Sequence, residues 1–241
     1  MSNTFSDANR TWWDQDAHDY HQSHSAYLSS FYWCPEMLHE KDARLLGDVT
    51  GKRILEIGCG SAPCSTWLRD RAELAVGFDI SMGMLQRGTG NLVQADALSF
   101  PFTDDSFDIV FSAFGAIPFV ESSLTVLQEA ARVLKPGGRF VMAINHPMRW
   151  IFADDPDSFA VQYSYFDRSG YTEFEGERLT YAEQHRTLGD RIRELLHAGF
   201  VLDDLLEPEW PEDLTENWGQ WSSKRGKIFP GTAIFVAHLP Q

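Results

Sequence analysis

Three carboxylates and a glycine turn carry the chemistry legible in this chain. Glu56 lies in a short apolar run (Ile54, Leu55, Ile57) that passes straight into Gly58 and Gly60. An apolar run into a Gly-x-Gly turn into a helix opens a nucleotide-binding α/β fold. A dinucleotide fingerprint would set its third glycine where Pro63 stands and rest a pyrophosphate on the helix N-terminus, next to the like charge of Glu56. The turn therefore suits a ligand with a positive charge and no phosphate. Asp79 follows Gly58 by 21 residues and ends the next apolar run, where a carboxylate accepts hydrogen bonds from ribose hydroxyls. Asp96, in VQADAL, is placed to accept one from the exocyclic amine of adenine. Competing roles are a strand-end surface charge for Glu56 and helix N-caps for the two aspartates.

Those residues need a scaffold that alternates strand and helix. Strand-like runs cover residues 53–57, 73–78, 91–95, 107–111 and 139–145, with helix-like runs at 63–71, 82–87 and 122–134 between them. Pro63 suits an early helical position, and Lys135-Pro136-Gly137-Gly138 turns the chain into the next strand. Such alternation implies a parallel sheet covered on both faces. Residues 1–50 are rich in aromatics and helical in pieces, including 36–46; 146–182 and 207–231 break the rhythm as lid-like insertions. A helix at 182–198 and strands at 200–206 and 232–239 complete the pattern. The expected organisation is an N-terminal cap segment over 1–50 and one domain over 51–241.

Composition excludes several classes. Twenty basic residues against thirty-five acidic give a formal charge of −15, the wrong sign for a nucleic-acid partner, which must be met by a basic footprint. Cys34, Cys59 and Cys64 form neither a disulfide framework nor a zinc-ligand spacing, so no metal is expected. The polar start and the absence of any run near the roughly 20 apolar residues of a membrane span point to a cytoplasmic protein. Nothing in the sequence sets the oligomeric state.

Ribose, adenine and a phosphate-free cation together describe S-adenosylmethionine, and here the chain resembles a known family. LEIGCGSA (55–62), GFDIS (77–81), QADAL (94–98), LSFPFTDDSFDIVFS (98–112) and ARVLKPGG (131–138) resemble, in order and spacing, the class I S-adenosylmethionine-dependent methyltransferases of the small-molecule "methyltransferase type 11" kind. The family's third loop glycine is Ala62 here. The flanks resemble those of uncharacterised actinobacterial members. The resemblance implies an α/β, Rossmann-like, seven-stranded, mostly parallel sheet with its last strand antiparallel, and cofactor at the carboxyl ends of the strands. It also implies that Glu56 and the backbone of Gly58, Cys59 and Gly60 meet the methionine part, Asp79 the ribose and Asp96 the adenine. Ile80 would pack on the adenine ring near Ala97, and Ser112 would lie under the methionine. For Ile80 and Ala97, plain packing is the competing role.

The rest of the site is less determined. His146, directly after the fifth strand, is the first candidate for a base or substrate contact, since histidine titrates near neutrality; capping of the loop beside Pro147 is the alternative. His18 and Tyr20 are candidates to close over the cofactor, Tyr20 toward its carboxylate. His185 and Arg186 could face the pocket or begin a helix. Seven of the eight tryptophans, among them Trp33, Trp150 and Trp210, lie outside 51–145; they wall an apolar or aromatic acceptor pocket or fill the core of a cap. The expected reaction is in-line methyl transfer to a small molecule, releasing S-adenosylhomocysteine. A binding protein without turnover, or a nicotinamide oxidoreductase on the same architecture, are the competing functions.

Overall fold

The computed structural model describes residues 4–241; residues 1–3 of the expected N-terminal cap lie outside them. In chain order the elements are α1 (Phe5–Ser23), α2 (Glu40–Ala43), β1 (Arg53–Ile57), α3 (Pro63–Leu68), β2 (Leu74–Asp79), α4 (Met82–Leu85), β3 (Asn91–Gln94), β4 (Phe107–Ala113), α5 (Ser123–Val133), β5 (Leu134–Asn145), β6 (Tyr171–Glu175), β7 (Arg178–Glu183), α6 (Leu188–His197), β8 (Val201–Leu206), α7 (Ser223–Gly226) and β9 (Thr232–His238). Seven strands form one sheet in the order β3-β2-β1-β4-β5-β9-β8. The last strand, β9, runs antiparallel to both of its neighbours, as the motifs imply. The chain winds outward from β1 to β3, then returns to lay β4 on the other side of β1. That reversal opens a crevice beyond the carboxyl ends of β1 and β4, where ligands bind in sheets of this type.

The sheet is held by apolar burial on both faces. On one, α5 starts at Ser122, whose hydroxyl accepts from the Thr125 N–H at 3.2 Å. It then presents Val126, Leu127, Ala130 and Val133, all fully buried, to Val110, Phe140 and Leu134. Each large side chain so buried contributes roughly 1.5–3 kcal/mol, and truncating Leu127 to alanine would cost about 2–5 kcal/mol. On the other face Phe31, Trp33 and Leu46 pack against Ile54, Phe111 and Val141. Phe31, Trp33, Cys34, Leu45 and Leu46 of the expected cap thus join the main core, while α1, with Tyr27 and Leu28, covers the crevice.

Two expected helices shrink. Within 36–46 only Glu40–Ala43 is helical, because the buried Glu40 carboxylate gathers the Trp33 indole N–H at 2.8 Å and the Leu45 and Leu46 N–H groups at 3.0 and 2.9 Å. The expected helix at 182–198 begins at Leu188, after a capping box in which Thr187 and Asp190 satisfy one another's N–H groups. Residues upstream of it form the hairpin β6–β7, a two-stranded sheet of its own.

Candidate functional site

The glycine turn sits at the head of the crevice. Gly58 has φ +65°, and a Cβ there would stand 2.4 Å from the Ala116 nitrogen, so only glycine fits. The Gly60 N–H donates to Asp79 Oδ2 at 2.8 Å, and the Ser81 N–H donates to Asp79 Oδ1 at 2.8 Å. The carboxylate ending β2 thereby pins the turn that ends β1. Ala62 opens α3 with φ +57° and is fully buried. Its left-handed backbone costs about 1–2 kcal/mol. Burial of its methyl group, about 0.8 kcal/mol, offsets part of this.

Glu56 is 3% exposed. Its Oε2 accepts from the Ser65 N–H at 2.9 Å and the Ser65 hydroxyl at 2.5 Å. Burial outweighs those bonds and pushes its carboxyl up to about 7. Asp79 is also raised, again chiefly by burial and against its backbone hydrogen bonds. A cation arriving here would relieve both costs.

A cavity of about 110 Å³ lies over the turn. The structure brings Tyr20, Glu56, Gly58, Cys59, Gly60, Asp79, Ile80, Asp96 and Ala97 to its wall. Among the described residues, three carboxylates line it and no lysine or arginine does. Ser112 is not at the wall: fully buried in β4, it donates its hydroxyl to the Ile57 carbonyl at 3.0 Å and ties β4 to β1. In α1, Asp14 and Asn9 carry roles that the sequence does not signal. Asp14 Oδ1 accepts from the Ser81 hydroxyl at 2.6 Å and the Gly83 N–H at 2.8 Å. Asn9 exchanges hydrogen bonds with the Ala182 backbone at 2.9 and 3.0 Å. These bonds hold Trp13 and Tyr20 against the crevice.

Trp13, Tyr20, Phe114 and Phe119 also face a second cavity, of about 720 Å³. Trp12, Trp150, Trp218, Trp221 and Tyr181 add to its walls, so five of the seven flanking tryptophans line this chamber. Polar residues interrupt the aromatic surface, among them Asp154, Asp167, Glu173 and Gln220, and one cluster is internally bonded. Glu183 accepts from Arg149 at 2.8 Å, Asn145 at 2.7 Å and the Tyr181 hydroxyl at 3.3 Å. The Arg149 guanidinium lies 5.0 Å from the Trp150 ring and 4.9 Å from the Trp221 ring. His185, 2% exposed, also lines the chamber.

Besides Ser112, four expectations are corrected by this geometry. His146 lines neither cavity: its Nδ1 accepts from the Met148 N–H at 3.0 Å, capping the turn at Pro147–Ile151, and its Nε2–H donates to Glu207 at 2.8 Å. With both ring nitrogens engaged it has no lone pair for a substrate proton. Trp33 is a core residue held by Glu40. Trp210 donates to the Leu214 carbonyl at 2.8 Å, away from the chamber. His18 is exposed on the outer side of α1, within hydrogen-bonding reach of Gln22 and Arg87. Among the described residues, no helix is long and apolar enough to cross a membrane, and no cluster of His, Cys, Asp and Glu could hold a metal ion.

Comparison with known proteins places this geometry in context. Residues 55–142 match the family described as "Methyltransferase domain". A demethylmenaquinone methyltransferase of Clavibacter sepedonicus is 41% identical over 107 residues, 41% of this chain and 43% of that protein. The chain thus spans under half the length of the curated relatives it first matches. An uncharacterized protein of Haemophilus influenzae is 24% identical over 68% of this chain and 73% of its own length. The crystal structure of a putative S-adenosylmethionine-dependent methyltransferase from Listeria monocytogenes shares the fold, with TM-score 0.69 at 22% identity over 84% of this chain and 96% of that one. Residues 55–142 therefore match a methyltransferase domain, and the chain as a whole carries the seven-stranded fold of the Listeria protein.

Proposed function

We propose that the acidic cavity holds S-adenosylmethionine and that the protein transfers its methyl group to a small, mainly apolar or aromatic acceptor seated in the adjoining chamber. The observation that carries this reading is the pairing of two cavities across a shared aromatic wall. Among the described residues, one is lined by three carboxylates and no lysine or arginine, the other by five tryptophans. The first suits an adenosyl cation and disfavours a pyrophosphate; the second suits a flat apolar molecule. The curated relatives named demethylmenaquinone methyltransferases lend support, since a quinone nucleus is such a molecule.

The chemistry asks little of the protein. A sulfonium is a good leaving group, so the demand is an in-line array of nucleophile, methyl carbon and sulfur, where placement alone contributes roughly 7–11 kcal/mol at the ideal limit. In this reading Asp79 and Asp96 hold the adenosyl part. Glu56 balances the positive end of the ligand, and Trp13, Tyr20, Phe114 and Phe119 keep water from the reacting atoms. Incubation with methyl-labelled S-adenosylmethionine and a panel of aromatic and quinol acceptors tests the reading. Label on an acceptor, with stoichiometric S-adenosylhomocysteine, is expected. Tight S-adenosylhomocysteine binding with no transfer across the panel would favour a binding protein, and NADH binding in its place would favour the oxidoreductase.

A further inference from the structure

His185 sits in the wall of the aromatic chamber with one nitrogen engaged and the other unpaired. Its Nε2 is 2.8 Å from the Tyr165 carbonyl oxygen. A carbonyl can only accept, so Nε2 carries the hydrogen and the neutral ring keeps its lone pair on Nδ1. Nδ1 is buried and has no hydrogen-bond partner among the described residues. The ring is held in place: it packs against Trp150 at 5.3 Å and Tyr165 at 5.8 Å, and the Tyr165 hydroxyl is itself fixed by the Leu188 N–H at 2.9 Å. A buried acceptor without a donor is uncommon in a folded protein and marks a place where a partner is missing.

We propose that His185 Nδ1 accepts a hydrogen bond from an O–H or N–H group of the methyl acceptor, which narrows the acceptor class to hydroxyl- or amine-bearing aromatic molecules. The proposal rests on the methyl-transfer reading of the chamber. The role is binding and orientation rather than proton abstraction. Burial lowers the basicity of the ring, and the positive charges of Arg191, Arg168 and Arg186 act in the same direction. An imidazolium is disfavoured there, and a neutral acceptor that keeps its lone pair is favoured. Arg149 and Glu183 pair across the chamber; among the described wall residues His185 Nδ1 and Gln220 Oε1 are the buried side-chain acceptors without a partner, and the His185 ring is the one fixed between Trp150 and Tyr165.

The test uses 1-naphthol and 1-methoxynaphthalene, which share an aromatic body and differ in the donor hydroxyl. Their affinity for the full chain saturated with S-adenosylhomocysteine is read from quenching of tryptophan fluorescence. Wild type is expected to bind 1-naphthol about tenfold more tightly, and His185→Phe is expected to reduce the preference to within about twofold. In protein carrying ¹⁵N-labelled histidine, the His185 Nδ1 resonance of the wild type is expected to shift on adding 1-naphthol and to stay put on adding 1-methoxynaphthalene. This readout needs no variant to fold. Equal affinity for the two probes, no binding of 1-naphthol, or an unmoved Nδ1 resonance overturns the proposal. Calorimetry with S-adenosylhomocysteine alone separates the failures: no binding there sinks the methyl-transfer reading itself, whereas normal binding with equal probe affinities sinks only the role of His185.

Discussion

Glu56 offers the sharpest perturbation, because its environment makes ligand affinity depend on pH in a calculable way. The carboxyl is raised from its ordinary 4.5 to about 7 by burial. In the ligand-free protein the folded state holds the proton more tightly than the unfolded chain does. The favourable contribution of the protonated form is complete below about pH 4.5 and is lost as pH rises through 7, a difference of about 3 kcal/mol. A ligand that sets its α-ammonium beside Glu56, as both S-adenosylmethionine and S-adenosylhomocysteine can, binds the ionised form. If it binds that form alone, the dissociation constant scales as 1 + 10^(7−pH) and is about tenfold weaker at pH 6 than at pH 8. Binding at pH 7 would also release about half a proton. Titration calorimetry with S-adenosylhomocysteine at pH 6, 7 and 8, repeated at pH 7 in buffers of different ionisation enthalpy, reads both quantities. Glu56→Gln should flatten the pH slope and weaken binding at pH 8. A flat profile in the wild type, or an unchanged slope in the variant, would refute the assignment of Glu56 to the cationic part of the ligand.

Other predictions follow from single contacts. Ser112→Ala should lower unfolding stability by about 1 kcal/mol through loss of its bond to the Ile57 carbonyl, with S-adenosylhomocysteine affinity unchanged in the same preparation. His146→Ala should cost about 0.5–2 kcal/mol as a lost cap; a fall in transfer rate of the 10²–10⁴-fold expected for a removed general base would instead return His146 to the chemistry. Arg149→Leu should destabilise by about 3–5 kcal/mol in denaturant unfolding, because it strands the buried Glu183 carboxylate. Adding Glu183→Leu to that variant should recover part of the loss.

What could be read from the sequence was what the chain specifies locally. The path from β1 through Gly58 and Gly60 into α3 is set by an apolar run, two glycines and Pro63, all within a dozen residues, and the structure follows it residue for residue. The same holds for α5, whose buried positions recur at helical spacing. Non-local choices were harder to read. Residues 182–183 read as the start of a helix and 178–181 as the end of an irregular insertion, yet 178–183 pair with 171–175 across the two-residue loop Gly176-Glu177. A glycine between two short alternating runs is a hairpin signal, and it was there to be found. The aromatic flanks were legible as a group and not one by one. Trp33 and Trp150 look alike in sequence, and only the buried Glu40, which takes the Trp33 N–H, sends the former to the core. His146 was placed correctly at the end of β5, but which way its ring nitrogens bond depends on Glu207, 61 residues away. Asp14 was overlooked because a single acidic residue on a polar helix carries no local signal; its role comes from the distant Ser81 and Gly83.

The central claim, an S-adenosyl ligand in the cavity lined by Glu56, Asp79 and Asp96, is tested most directly by calorimetric titration with S-adenosylhomocysteine at pH 8. The account predicts saturable binding of one molecule per chain, weakened at least tenfold by Asp79→Ala, which removes the carboxylate assigned to the ribose. No heat with S-adenosylhomocysteine, together with saturable binding of NADH, would contradict it.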